Sequence, residues 1–168
     1  MSGRGREIAL AVKAIQALSS TEQGQAIIAA EKFATESVAG AFQDNLVQEY
    51  EGVALGDVSA KGRRAILAFV ERMVGNVKEG QAKIKMAEIR KHLDETYFAW
   101  IGGTDDDAVF YVRVQSPVIW IEFDCEGPGP LGKGVTGSSR NHVHSDVRTP
   151  NGNDHGKSLL ALHLALDH

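Results

Sequence analysis

The sequence predicts an α+β fold in which N-terminal helices pack on a small, mostly antiparallel C-terminal sheet that a last helix closes. Apolar residues recur every three to four positions in the first part of the chain and every two positions between about 109 and 148, the periods of a helix and a half-buried strand. All four prolines and nine of the 18 glycines follow Trp100, so turns and loops concentrate there. The 168 residues, 43% of them hydrophobic, suffice for one core and hardly for two. Residues 1–168 are therefore expected to form a single domain, with a mainly helical part over 1–100 and a β-rich part over 101–168.

Taken in order, Ile8, Ala9, Val12, Ile15 and Leu18 give the first helix one buried stripe. Ser19 and Glu22 stand at capping-box spacing and restart a second helix through Ala26, Ile27, Ile28 and Ala30 that fades near Gly40. Residues 41–57 lack clear periodicity. Ser59 caps a third helix carrying Ile66, Leu67, Phe69, Val70 and Met73, which Gly75-Asn76 ends. Ile84, Met86, Ile89 and Leu93 carry a fourth. The runs Val109–Val114 and Val118–Phe123, separated by Gln115-Ser116-Pro117, predict an antiparallel hairpin. A Gly/Pro/Ser-rich loop over Cys125–Arg140 leads to a strand over His142–Arg148. Asp154 then caps a last helix with Leu159, Leu160, Leu162, Leu164 and Leu166.

The formal charge of −4 offers no field for a nucleic-acid backbone or an anionic membrane, so neither partner is expected. One cysteine, Cys125, excludes an intrachain disulfide and a cysteine-rich zinc site. The basic start Met1–Arg6 is followed by an apolar stretch, Ile8 to Leu18, that Lys13 and Gln16 interrupt, so no signal peptide or transmembrane segment is predicted and the expected location is cytoplasmic.

The segment Asn141-His142-Val143-His144-Ser145-Asp146-Val147-Arg148 carries the strongest chemistry. On a strand, His142, His144 and Asp146 share one face while Val143, Ser145 and Val147 share the other. Two imidazoles so spaced can reach one first-row metal ion as neutral nitrogen donors. Glu122, which interrupts the apolar run Val118–Phe123, is the best third ligand, ahead of Asp146, Asp154 and His155. Two histidines and a carboxylate with open positions suit hydrolytic Zn²⁺ or an oxygen-using Fe²⁺, with Mn²⁺ a further option. The blander alternative is a pair of solvent-facing strand histidines bonded to loop carbonyls. Arg148 is the candidate anchor for an anionic substrate, with an internal ion pair to Asp146 or Asp154 as its structural alternative.

Other patterns fall away. The H-x-H spacing resembles the first half of a cupin motif, but Arg148 stands where a glutamate is expected. Gly127 to Gly134 matches a phosphate-loop pattern, yet Gly134 replaces the magnesium-binding Ser/Thr and Pro128 and Pro130 remove N–H donors; no nucleotide cofactor is expected. Ser145 lies between His144 and Asp146 but points away from both, and no G-x-S-x-G elbow surrounds it. Cys125 lacks an activating partner in sequence and reads as a small buried or loop thiol. His163 reads as a packing residue of the last helix, His92 as a helix C-terminal residue and His168 as frayed.

A longer pattern runs through Leu93-Asp94-Glu95-Thr96-Tyr97-Phe98-Ala99-Trp100-Ile101-Gly102-Gly103, then Tyr111–Pro117, Ile121–Asp124, Asn141–Arg148 and Asn153–His163, with Leu18–Gln23 upstream. In this order the segments resemble the DUF3500 family over nearly the whole chain. That resemblance implies no assigned activity. It brings an N-H-[IV]-H segment followed by Arg and an N-D-aromatic-G element onto His142, His144, Arg148, Asp154 and Gly156, and an acidic strand position onto Glu122. His155 replaces the aromatic residue and Thr149 an acid. Members are typically longer, with an N-terminal His-His segment, which implies that this chain is a shortened version.

The expectation is thus a divalent-metal-binding domain acting hydrolytically or oxidatively on a small molecule, with His142, His144 and Glu122 as ligands and Glu122, Arg148 and Asp154 as catalytic candidates. The alternative is a non-catalytic fragment that binds a partner or another copy of itself as a homo-oligomer.

Overall fold

The computed structural model describes residues 3–33, 35–39, 47–128, 137–150 and 162–166. Helix α1 (Gly3–Gln16) buries Ile8, Ala11, Val12, Ala14 and Ile15 on one stripe. Ser19 caps α2 (Ser20–Ala26): its hydroxyl accepts from the Glu22 amide, and the Glu22 carboxylate accepts from the Ser19 amide at 2.6 Å. The other oxygen of that carboxylate accepts from the amide of Ser59 at 2.5 Å, the residue that caps α3 (Ala60–Val74). One carboxylate therefore ties two helix starts together. The α1 turn and α3 approach closely at Gly62, where a Cβ would lie 2.5 Å from Leu18 Cδ2. Helix α4 (Glu79–Lys91) adds Met86 and Ile89 to the core.

The sheet holds β1 (Ile27–Ala29), β2 (Val53–Ala54), β3 (Tyr97–Gly102), β4 (Phe110–Gln115), β5 (Trp120–Cys125) and β6 (Val143–Arg148). Its order is β1-β3-β4-β5-β6, with β2 also paired to β3. β1 runs parallel to β3 and all other pairs are antiparallel. Between Glu51 and β2, Gly52 has φ +89°, and a Cβ there would stand 2.1 Å from the Phe98 carbonyl oxygen, so this crossing is open to glycine alone.

Strand alternation divides the sheet into two unlike faces. Phe98, Trp100, Phe110, Val112, Val114, Ile121, Phe123 and Cys125 point toward the helices and join one hydrophobic core. Trp100 and Phe110 stack at 4.3 Å between centroids, and Phe110 stacks on Phe123 at 5.9 Å; each large side chain so buried contributes about 1.5–3 kcal/mol. The other face carries Tyr111, Arg113, Gln115, Trp120, Glu122 and Asp124, all buried despite their polarity.

The α+β class stands, and the hairpin forms with Gln115 opposite Trp120, shifted one to two residues beyond the predicted limits. The second helix is shorter than its pattern predicts. It stops at Ala26, because β-branched Ile27 and Ile28 enter an edge strand beside β3. β3 itself lies in the part predicted to be helical: its apolar run is buried at every position after Tyr97, so no alternation betrays it. Cys125 ends β5 rather than opening the loop. Within 41–57, Val53–Ala54 forms a strand and Leu55–Asp57 a 3₁₀ turn. Residues 162–166 are helical, while Asp154, Leu159 and Leu160 lie outside the described residues. No described helix is long and apolar enough to cross a membrane.

Backbone hydrogen bonds from Ser19 and Ser59 hold the Glu22 carboxyl below the usual carboxylate range. A depressed folded-state pKa contributes stability that is complete above the unfolded value near ~4.3 and is lost as pH falls through the folded value. Denaturant titrations at pH 7 and pH 3 are expected to show this loss. Glu22→Gln should destabilise by about 1–2 kcal/mol at pH 7 and should shrink the difference between the two pH values.

Candidate metal centre

The acidic residues of Glu122-Phe123-Asp124-Cys125-Glu126 fall at alternate positions, so Phe123 and Cys125 enter the core while Glu122 and Asp124 enter the polar face. A buried carboxylate is costly unless its oxygens are satisfied, and these are. Glu122 accepts from the amides of Val38 and Ala39, each at 2.9 Å, and from the Tyr111 hydroxyl at 2.6 Å. Asp124 accepts from the amides of Glu36 and Ser37 at 2.6 and 2.9 Å, and from the Ser37 hydroxyl at 3.3 Å. Its other oxygen pairs with the Lys32 ammonium at 2.8 Å. Four successive amides, 36 to 39, are thus fastened across the sheet by two carboxylates. Burial, and then the Glu122 charge, push the Tyr111 hydroxyl far above its ordinary pKa, so it remains a donor.

Glu122 is therefore committed to holding a peptide segment, and the carboxylate that stands with the histidines is Glu126. In the β5–β6 register Asp124 faces His144 and Glu122 faces Asp146. One residue further, the Glu126 amide donates to the His142 carbonyl at 2.8 Å. Glu126 is buried and lies 3.3 Å, through Oε2, from Nδ1 of His144. Nδ1 of His142 contacts the Gly127 carbonyl oxygen. The two Nε2 atoms lie 3.2 Å apart.

These contacts favour one tautomer of each ring. A carbonyl oxygen and an ionised carboxylate only accept, so a proton at Nδ1 satisfies both contacts and leaves Nε2 as the lone-pair nitrogen. In the neutral imidazoles both Nε2 atoms then present lone pairs to each other. A metal ion between the nitrogens satisfies such a contact, as does a proton shared in an N–H···N hydrogen bond. Two nitrogens each about 2.1 Å from one ion at a tetrahedral angle would be about 3.4 Å apart, close to the observed separation. Glu126, His142 and His144 form a group that can hold a metal ion, with ligand atoms within 4.8 Å of one another.

A groove of about 370 Å³ opens beside this group, lined by Thr35, Ser37, Ala39, Glu126, His144 and Asp146 among others. A larger cavity, about 460 Å³, lies on the helix side of β6 between Met73, Val77, Lys85 and Val147; it collects no comparable set of donors among the described residues.

The remaining predicted residues are dispersed. His142, His144 and Asp146 share a face as expected, and Ser145 faces the helix side. Arg148 packs its guanidinium 4.8 Å from the centroid of the buried Trp120 ring, which Arg113 also approaches at 5.5 Å. Four residues along a strand separate it from His144, about 13 Å, so it is set apart from the histidine pair. Cys125 is a buried thiol whose pKa burial raises. His92 ends α4 and bonds Glu95 at 2.8 Å. Asp154 and His155 lie outside the described residues. Glu126 was missed because the acidic series at 122, 124 and 126 points to one face without saying which member meets His142; that depends on the register across a long loop.

Among known protein families, the family model described as "protein of unknown function (DUF3500)" matches residues 4–157. No curated protein and no solved structure matches the chain.

Glu122→Gln keeps the shape of the side chain but replaces one acceptor by an NH₂ that faces an amide donor. Removing a buried charge-assisted bond costs about 1.5–3 kcal/mol. Hydrogen exchange should rise at the Val38 and Ala39 amides while α1 and α3 amides change only by the global loss. Protection at 38 and 39 that survives the substitution would contradict the fastening role.

Proposed function

Since the chain belongs to the DUF3500 family, described as of unknown function, we propose its role from its own residues: it binds one divalent transition-metal ion, Zn²⁺, Fe²⁺ or Mn²⁺, between Nε2 of His142 and Nε2 of His144, and uses it on a small-molecule substrate in the adjoining groove. The observation that carries this reading is the pair of Nε2 atoms 3.2 Å apart, each ring meeting an acceptor oxygen at its Nδ1. An outer hydrogen bond from Nδ1 to a carbonyl or carboxylate is what metal-ligating histidines ordinarily have, and it fixes tautomer and ring orientation. Glu126 serves as that partner for His144. When bound, the ion would supply Lewis acidity toward a substrate oxygen, suiting hydrolytic or oxidative chemistry. Glu122 and Asp124 position the wall of the groove, and Asp146, two residues from His144 on the same face, is the nearest further acid on the strand.

Metal titration followed by elemental analysis tests the reading. Purified protein is expected to retain close to one Zn²⁺ or Co²⁺ per chain, and His142→Ala/His144→Ala to retain none while keeping its circular dichroism. Glu126→Gln should weaken binding about 10–100-fold. Acidification should release the metal as protons compete for Nε2. A double variant that binds metal as the parent does would sink the reading.

A second reading, self-association, is favoured by Leu162, Leu164 and Leu166, whose exposures are 54%, 52% and 74%. Apolar side chains this open on one short helix suit a partner surface. Sedimentation across a hundredfold range of concentration should then show a dimer that Leu164→Ser and Leu166→Ser dissociate; a strict monomer counts against it.

A further inference from the structure

Resting on the self-association reading above, we infer that the cavity between α3, α4 and β6 is an interaction surface that seats the leucine-bearing C-terminal helix of a second copy of this chain. The cavity, about 460 Å³, has an apolar floor of Met73, Val74 and Ile119 and two open apolar lips, Val77 and Val147, which are 52% and 42% exposed. It lies where the sheet ends, since β6 is the last strand of the ladder among the described residues, and a sheet edge flanked by open apolar side chains is ordinarily covered. Its rim does not suit a charged ligand. The Lys85 ammonium, with three protons to donate, already meets the Glu88 carboxylate at 2.6 Å and the Val118 carbonyl and Thr149 hydroxyl, each at 3.2 Å, and Arg148 lies on Trp120.

The occupant follows from the other open apolar surface of the same chain. Residues 162–166 are helical, with Leu162, Leu164 and Leu166 all more than half exposed. At about 100° per residue, Leu162 and Leu166 share one face and Leu164 points to the roughly opposite side. From Leu159 to Leu166 the sequence contains a single polar residue, His163. A helix apolar on both sides needs cover on both, which one contact with its own chain does not give. Within the single chain, groove and helix leave each other open, so a neighbouring copy supplies each with the other. The sequence allows that reach: 13 positions separate Thr149, on the groove rim, from Leu162, a length of chain that spans at most about 45 Å. The exchange of helices is reciprocal, so each copy uses the same two surfaces and a closed twofold dimer results.

Sedimentation of groove variants and site-directed cross-linking give the test. Val77→Lys and Val147→Glu, at exposed positions that leave the buried floor intact, are each expected to raise the dimer dissociation constant about tenfold or more with circular dichroism unchanged. An equimolar mixture of Val77→Lys with Leu166→Ser should associate more tightly than either variant alone, because one intact contact between groove and helix remains. For cross-linking, ¹⁴N- and ¹⁵N-labelled chains carrying Val77→Cys and Leu166→Cys are mixed and treated with a bismaleimide. Position 77 of one copy is expected to join position 166 of the other, giving cross-linked peptides that carry both labels; Cys125 is buried, so the parent protein is the control. This measurement stands if a charged groove variant fails to fold. A dimer that Val77→Lys and Val147→Glu leave unchanged, or one in which the link is confined to peptides of a single label, overturns this inference and leaves self-association intact. A strict monomer overturns both.

Discussion

Two carboxylates inside the sheet, Glu122 and Asp124, are the constraint on which the rest depends. A strand in the middle of a protein ordinarily buries apolar residues on both faces or exposes one face to water. β5 does neither. It buries Phe123 and Cys125 against the helices and two acids on the opposite face, and that second face is stable only because peptide amides, the Tyr111 hydroxyl and the Lys32 ammonium satisfy the charges. The segment over 35–39 is thereby held across the sheet without regular secondary structure of its own. Arg113 with Glu51, and the Gln115 side chain with the Gln48 carbonyl, extend the same principle to the neighbouring stretch.

This arrangement creates the candidate site as a by-product of alternation. The acidic series continues one step past the end of β5 to Glu126, where it meets the start of β6. There it stands beside histidines that the same period-two geometry sets on one face. The fastened segment supplies Thr35, Ser37 and Ala39 as a wall. Loss of the buried bonds at Glu122 would therefore disturb the groove without touching the histidines, whereas loss of Glu126 would disturb the His144 ring without unfastening the segment.

Much of this was legible in the residues. The capping box at Ser19 and Glu22, the Ser59 cap, the hairpin of β4 and β5, and the shared face of His142, His144 and Asp146 all follow from local spacing, and local spacing is what a single sequence states plainly. Three features were not legible, each for a physical reason. β3 is buried on both faces, so its run of Phe98 to Ile101 lacks a strand signature. Ile27 and Ile28 continue a helical pattern but are captured by an edge pairing that forms only in the folded chain. Glu122 was ranked ahead of Asp146, Asp154 and His155 because an acid inside an apolar run looks functional, whereas its carboxylate grips amides 83 and 84 positions distant in sequence.

The central claim is that the two histidines present unprotonated Nε2 atoms toward one point because their Nδ1 protons are engaged by Glu126 and the Gly127 carbonyl. Long-range ¹⁵N–¹H correlation spectra of imidazole-labelled protein, recorded in the presence of saturating Zn²⁺, test this most directly. The account predicts that His142 and His144 both appear as Nδ1–H tautomers with Nε2 shifted by the metal, and that Glu126→Gln perturbs His144 more than His142. Either ring protonated at Nε2, or both unchanged on adding Zn²⁺, would contradict it.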